Sequence, residues 1–302
     1  MKIVEILENN RFVGKFGVPY LDKKVSGILP NDLILLGARS GAGKSSLAQM
    51  VASYNSKQGV NVSLISLENF EHDDFITKAY YSYLRQTGNY NLGIREFMGG
   101  IGTHFDPDMQ VLMQAQKDAE KFFENIYLTT RKKGFDLEQL KETMVRDVIE
   151  NDCKIIILDH IDYIYKKDPR DNDITHITEI IRTIRDLQDE ANVAVLAISH
   201  LRKPYGKDIP KIPSLDEFIG SSNKVKESSM VVMFAPDDET NEANRTNLRA
   251  TYCCIRKLRQ GGYDNTAARL YFDPRTGGYC ESYDDCIVNY TGTEIKEVGN
   301  AM

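Results

Sequence analysis

One stretch limits what this chain can fold into more than any other: Leu33-Ile34-Leu35-Leu36-Gly37-Ala38-Arg39-Ser40-Gly41-Ala42-Gly43-Lys44-Ser45-Ser46. Four consecutive apolar residues read as a buried strand, the small residues as a tight loop, and Leu47, Met50 and Val51 as the apolar side of a following helix. The loop fits the phosphate-binding pattern, with Ala38 in the place of the usual first glycine. A triphosphate needs backbone N–H groups close to its oxygens, and only small residues let the chain curl so tightly. The helix N-terminus adds partial positive charge, the Lys44 ammonium can reach the outer phosphates, and the Ser45 hydroxyl can ligate Mg²⁺. Ala38, Arg39, Ser40, Gly41, Ala42, Gly43, Lys44, Ser45 and Ser46 are therefore the candidate nucleotide contacts, for ATP or another nucleoside triphosphate.

Composition narrows the setting. With 302 residues, 41% hydrophobic and 27% charged, the chain can bury a large core. No run of about 18 apolar residues is present, so no membrane span is expected. The start, Met1 to Asn10, carries acidic residues and no long apolar segment, unlike a secretory leader. Cys153, Cys253, Cys254, Cys280 and Cys286 form no Cys-x-x-Cys pair, so free thiols in a reducing cytoplasm are expected. A formal charge of −6 opposes coating nucleic acid with the whole surface but permits a local basic channel.

Beyond the loop, strands and helices alternate. Strands are expected at about 60–67, 126–130, 154–159 and 193–199, with helices at about 73–86, 108–125, 137–150 and 173–190. Ile177, Ile180, Ile181, Ile184 and Leu187 recur at helical spacing and read as core. Such alternation predicts a parallel sheet with right-handed crossovers, flanked by helices. Residues 1–16 read as a short helix or arm and 17–302 as one domain. Near the C-terminus the pattern changes: after a strand at 230–234, residues 248–258 and 267–272 read as paired antiparallel strands extending the sheet.

Polar groups fall at four strand ends, at Ser40–Ser45, Glu68, Asp159 and His200, which a parallel sheet brings to one edge. Asp159 closes Lys154-Ile155-Ile156-Ile157-Leu158 and suits a carboxylate that holds Mg²⁺, commonly through water. Glu68 could activate an attacking water, or could be a carboxylate near a helix start. His200 could sense a γ-phosphate, or be a satisfied buried histidine. Lys257 and Arg259 alternate along a strand and so share one face. They are either a solvated edge or cationic fingers that stabilise transition-state charge from an adjacent subunit.

The segments Gly37-Ala38-Arg39 to Lys44-Ser45, Ser66-Leu67-Glu68, Ile156-Ile157-Leu158-Asp159-His160, Ile198-Ser199-His200-Leu201 and Lys257-Leu258-Arg259 occur in one order. Together they resemble the RecA-like motor domain of DnaB-type hexameric replicative helicases, and most of all the phage primase-helicase and Twinkle branch. The resemblance covers roughly residues 17–282. It implies a homo-oligomer, usually a hexameric ring, with ATP between subunits, Mg²⁺ at Ser45 and Asp159, and single-stranded DNA through the centre. It also implies Glu68 as catalytic base, His200 as phosphate sensor, Arg259 with Lys257 as fingers acting in trans, and Phe272 beside the nucleotide base. The loop after His200 matches a channel loop, and it offers Arg202, Lys203, Lys207 and Lys211 as DNA contacts. The expected activity is ATP-driven translocation and unwinding, 5′→3′ by resemblance, in a bacterial cell or phage-infected host.

Two departures stand out. Family members carry a separate N-terminal primase or primase-binding domain. Here only a short arm is expected before the motor, and a primase or loader protein is among the partners the resemblance implies. Where many relatives have an Asp-Leu-Arg-Gly-Ser-Gly-like stretch, this chain has Asp216-Glu217-Phe218-Ile219-Gly220-Ser221-Ser222, without the arginine. The competing expectation is a RecA/KaiC-like DNA-binding or regulatory ATPase in which ATP switches assembly and nothing is unwound.

Overall fold

In a computed structural model the structure describes residues 3–4, 7, 12–39, 42–102, 105–130, 132–168, 170, 172–202, 211–218, 221–237, 249–261, 266–273, 278–280, 287–291 and 294–297. The elements run as α1 (Pro19–Val25), β1 (Leu33–Ala38), α2 (Lys44–Ser56), β2 (Val62–Ser66), α3 (Glu71–Thr87), α4 (Ile94–Met98), α5 (Met109–Phe122), β3 (Ile126–Thr130), α6 (Leu137–Ile149), β4 (Ile155–Asp159), α7 (Asp173–Ala191), β5 (Ala194–His200), α8 (Ser221–Glu227), β6 (Met230–Pro236), β7 (Arg249–Leu258), β8 (Thr266–Asp273), β9 (Gly278–Cys280), β10 (Ile287–Thr291) and β11 (Glu294–Glu297). All strands belong to one sheet, ordered β11-β10-β8-β7-β6-β1-β5-β4-β2-β3, with β9 paired to β8. From β6 to β3 the pairing is parallel, and from β7 outward it is antiparallel. The fold is therefore the expected α/β architecture with an antiparallel C-terminal extension.

The near-continuous apolar runs of β1, β4 and β5 follow from burial on both faces. In β4, Ile155 and Ile157 face a core shared with Leu47, Val51 and Phe16. Ile156 and Leu158 face the opposite core, with Leu140, Met144 and the Ile177–Ile184 stripe of α7. Local signals set the helix ends. The Asp136 side chain accepts the N–H groups of Glu138 and Gln139 at the start of α6, and Asn172 accepts that of Ile174 at the start of α7. Asn192 ends α7 in the left-handed conformation. The expected helices at 73–86 and 108–125 correspond to α3 and α5. With α4 they enclose a separate small core around Tyr80, Tyr83, Phe97 and Phe105.

At the N-terminal side, Ile3, Val4 and Leu7 are helical and exposed. Phe16 and Val18 are instead buried in the main core. Asn55, itself buried in α2, accepts the Lys15 N–H and donates to the Lys15 carbonyl. Elements the sequence pattern did not announce are short: α1, begun by Pro19, then α4, α8 and strands β9 to β11. Part of the expected 236–242 turn, and Gly262, lie outside the described residues.

Gly37 marks the tightest packing in β1. A Cβ there would fall 2.7 Å from Met233 Sδ and against the buried Phe218 ring. Gly37→Ala is expected to cost about 1–3 kcal/mol through overpacking, measured by urea unfolding.

Candidate functional site

Strand register explains how distant residues meet. Ala38 at the end of β1 lies opposite His200 on β5 and Phe234 on β6, and Ser66 on β2 lies opposite Asp159 on β4. The phosphate loop, Glu68, Asp159 and His200 therefore share the carboxyl edge of the parallel strands. Gly43 precedes α2 in the left-handed region, φ 83° and ψ 30°, a conformation that favours glycine. It delivers Lys44 and Ser45 as the first two helical residues. Ser40 and Gly41 lie outside the described residues, while Ala38 and Ala42 are buried.

Asp159 is 3% exposed, and its Oδ1 has no hydrogen-bond partner among the described residues. Burial pushes its pKa up, opposed by a hydrogen bond with Ser45 and the charges of His160 and Lys44. An orphaned carboxylate oxygen next to a hydroxyl suits a hard cation such as Mg²⁺, which takes one or two protein oxygens and completes its shell with phosphate and water. Among the described residues no group of three or more His, Cys, Asp or Glu side chains is placed to hold a metal.

Behind this edge lies a network that ties Glu68 and His200 to side chains, Asp162 and Lys224 among them, that the sequence pattern did not single out. His160 Nε2 is 2.6 Å from His200 Nε2, within hydrogen-bond distance, and 4.0 Å from Glu68 Oε2. Glu68 itself is 44% exposed, its carboxylate available to the edge. His160 Nδ1 lies 3.4 Å from Asp162 Oδ2, without the alignment of a hydrogen bond. Asp162 Oδ2 accepts the His200 backbone N–H at 2.7 Å. Lys224 on α8, whose side chain is fully buried, donates to Ser199 Oγ at 2.7 Å and sits 3.5 Å from Asp162 Oδ1. Burial alone would raise the Asp162 pKa, but its contact with His160, the Lys224 charge and the His200 N–H outweigh this and hold it at about 2. Burial, then His160 and Lys44, lower the pKa of His200 and favour its neutral ring.

Lys257 and Arg259 stand elsewhere. Met230 pairs with both Ile34 and Leu258, so the two cations lie at the amino end of β1. That is roughly 15 Å from the phosphate loop at about 3.3 Å per strand residue. Lys257 Nζ donates to the carbonyls of Val225, Lys226 and Ser228, and Arg259 donates to that of Lys226 at 2.7 Å. Arg259 remains exposed and lines a cavity of about 420 Å³ with Lys24, Asn31 and Arg185. Within one chain, then, the structure does not bring these cations to the other site residues.

Phe272 lies on the phosphate-loop edge, edge-on to Tyr279 with ring centres 5.7 Å apart. Tyr279, in a strand too short to show a pattern, donates its hydroxyl towards the Gly43 carbonyl at 3.2 Å, with that of Ala42 at 3.4 Å. A Cβ on Gly43 would collide with that hydroxyl. Of the proposed DNA contacts, Arg202 is exposed, Lys211 is half-buried, and Lys203 and Lys207 lie outside the described residues.

This fold and this edge define a RecA-like P-loop protein. The model of the DnaB-like helicase C-terminal domain matches residues 15–280, and the chain belongs to that family. The replicative DNA helicase DnaB of Pasteurella multocida is 25% identical over 248 residues, 81% of this chain and 50% of that protein. The chain thus spans about half the length of the curated relatives it matches. Among solved structures, a DnaB-like replicative helicase described with its primase interactions superposes with a TM-score of 0.72 at 19% identity, covering 92% of this chain and 66% of that one. A KaiC-like protein of the archaeon Pyrococcus horikoshii gives a lower TM-score of 0.57 at 17% identity, covering 89% and 98%. Among the described residues no helix is long and apolar enough to cross a membrane.

The Asp162–Lys224 pair yields a stability prediction. Because the Asp162 pKa is depressed in the folded state, its contribution is present above the unfolded value near 4 and lost as pH falls towards 2. Asp162→Asn should flatten this acid limb in urea unfolding. Lys224→Ala should lower stability at neutral pH and shift the acid limb upward, because it removes the cation beside Asp162 and the donor to Ser199, read by the same urea unfolding.

Proposed function

We propose that this chain is the motor of an ATP-dependent replicative DNA helicase, translocating on single-stranded DNA as a ring, 5′→3′ by family resemblance. The observation that carries it is the split constellation. Lys44, Ser45, Glu68, Asp159 and His200 share one edge, while Arg259 projects from the opposite end of the sheet. A complete catalytic site then needs two copies of the chain, as a ring supplies. The relatives' names, replicative DNA helicases, and the helicase–primase structure support DNA as the track and a primase or loader as partner. A hexamer in the cytoplasm of a bacterial cell or infected host agrees with the same reading.

In this reading the backbone from Ala38 to Ser46 cradles the triphosphate, and Lys44 neutralises its outer oxygens. Ser45 and Asp159 would hold Mg²⁺, which supplies charge stabilisation to the phosphates. Phe272 and Tyr279 wall the nucleotide edge. Glu68 orients the attacking water and accepts its proton as the oxygen bonds to the γ-phosphorus and the bond to the β-phosphate oxygen breaks, releasing ADP and phosphate. His200, neutral and braced by His160 and Asp162, donates towards the γ-phosphate and registers its departure. Arg259, with Lys257 supporting the same segment, serves the neighbouring copy's site.

Three measurements test this. ATP turnover should rise strongly with single-stranded DNA at fixed low salt and vanish in Lys44→Ala; turnover indifferent to DNA refutes the motor. A forked duplex should be unwound, whereas DNA-stimulated turnover without strand separation would indicate the non-unwinding ATPase. Arg259→Ala should bind ATP within about threefold of wild type but lose about 10³-fold or more in turnover, and it should poison mixed assemblies.

A further inference from the structure

Arg39 stands one residue beyond β1, inside the phosphate loop. Its guanidinium grips Glu217 with two nitrogens: Nη2 donates to Oε1 at 3.1 Å and Oε2 at 3.2 Å, and Nε donates to Oε2 at 3.4 Å. The side chains are only 18% and 11% exposed, so this is a forked, half-shielded pair and stronger than an ordinary surface contact.

Glu217 holds a junction together. It closes the short 3₁₀ turn Leu215–Glu217, where its Oε1 also accepts the Ser214 N–H at 2.9 Å. Its backbone carbonyl accepts the Arg202 N–H at 2.6 Å, and the next residue, Phe218, bridges antiparallel to Leu201. The chain leaving β5 at 201–202 is thus stapled to the chain returning at 214–218. That staple is fixed to the phosphate-loop strand twice: by the Arg39 fork, and by the fully buried Phe218 ring against Gly37. Arg202, the first cation after β5, leaves from the staple itself.

We infer that Glu217 is a positioning residue that acts through Arg39, so that occupation of the phosphate loop and contact of a ligand with Arg202 bias each other. An incoming triphosphate brings negative charge to the loop that carries the guanidinium, so Glu217 competes with it for Arg39. Any resulting shift of Glu217 moves the Arg202 N–H bonded to its carbonyl. Such coupling is reciprocal, because each ligand changes the other's affinity by the same factor. The inference rests on the function proposed above for the identity of the two ligands, ATP and single-stranded DNA.

The test uses the full chain, a non-hydrolysable ATP analogue with Mg²⁺ and a fluorescent oligothymidylate at one fixed salt concentration. The quantity read is the ratio of oligonucleotide dissociation constants with and without the analogue. Wild type should show a ratio of about fivefold or more. Glu217→Gln removes the charge but keeps an oxygen for the Ser214 N–H. Its ratio should fall to within about twofold of one, while its affinity for the analogue without DNA stays within about threefold of wild type. Arg39→Gln should abolish the coupling as well, and the double variant should add nothing to either single change. Arg39→Lys, which keeps charge but loses the fork, should give an intermediate ratio and covers the case in which Glu217→Gln folds poorly. A wild-type ratio retained in Glu217→Gln or in Arg39→Lys overturns the inference and leaves the proposed function standing. A wild-type protein with a ratio of one removes both.

Discussion

A parallel sheet packed on both faces has one edge at which every strand hands over to its crossover, and this molecule depends on that asymmetry. Backbone N–H groups at the start of α2 point towards the edge, and the strand ends on either side can carry polar residues there without burying them in the apolar layers. Once hydrogen bonding sets Ala38 beside His200 and Ser66 beside Asp159, the site assembles without further guidance. Residues more than ninety positions apart become neighbours because ladder pairing is exact to one residue.

The energetic cost is concentrated behind that edge. A carboxylate with an unpartnered oxygen, two imidazoles in ring-nitrogen contact and a lysine with no solvent exposure are each expensive alone. They are tolerated because each is the other's solvent: Lys224 keeps Asp162 ionised, Asp162 holds the His200 backbone and faces His160, and His160 packs on His200. Asp159 Oδ1 is left over, at the place where an external cation would complete the set.

Much of this was legible in the chain itself. The long strands and helices announced themselves through unbroken apolar runs and 3.6-residue stripes, and Lys44, Glu68, Asp159 and His200 were readable because each follows such a run. Asp162, Lys224 and Tyr279 were not, for a physical reason. They sit in a three-residue turn, a seven-residue helix and a three-residue strand, all too short to show a period. Their partners are set by tertiary packing alone. Glu217 was visible only as a departure from a familiar stretch; its pairing with Arg39, 178 positions away, depends on where the sheet places β1.

The shortness of α8 has a mechanical consequence. One turn of this helix carries Lys224 into the network beneath the chain's own His200, while the carbonyls at its end are grasped by Lys257 and Arg259 on the far rim. Seven residues leave no slack for one end to move while the other stays still. A displacement of Lys224 is therefore carried along the helix to the strand end that bears Lys257 and Arg259, so the two rims of the sheet answer to one short strut.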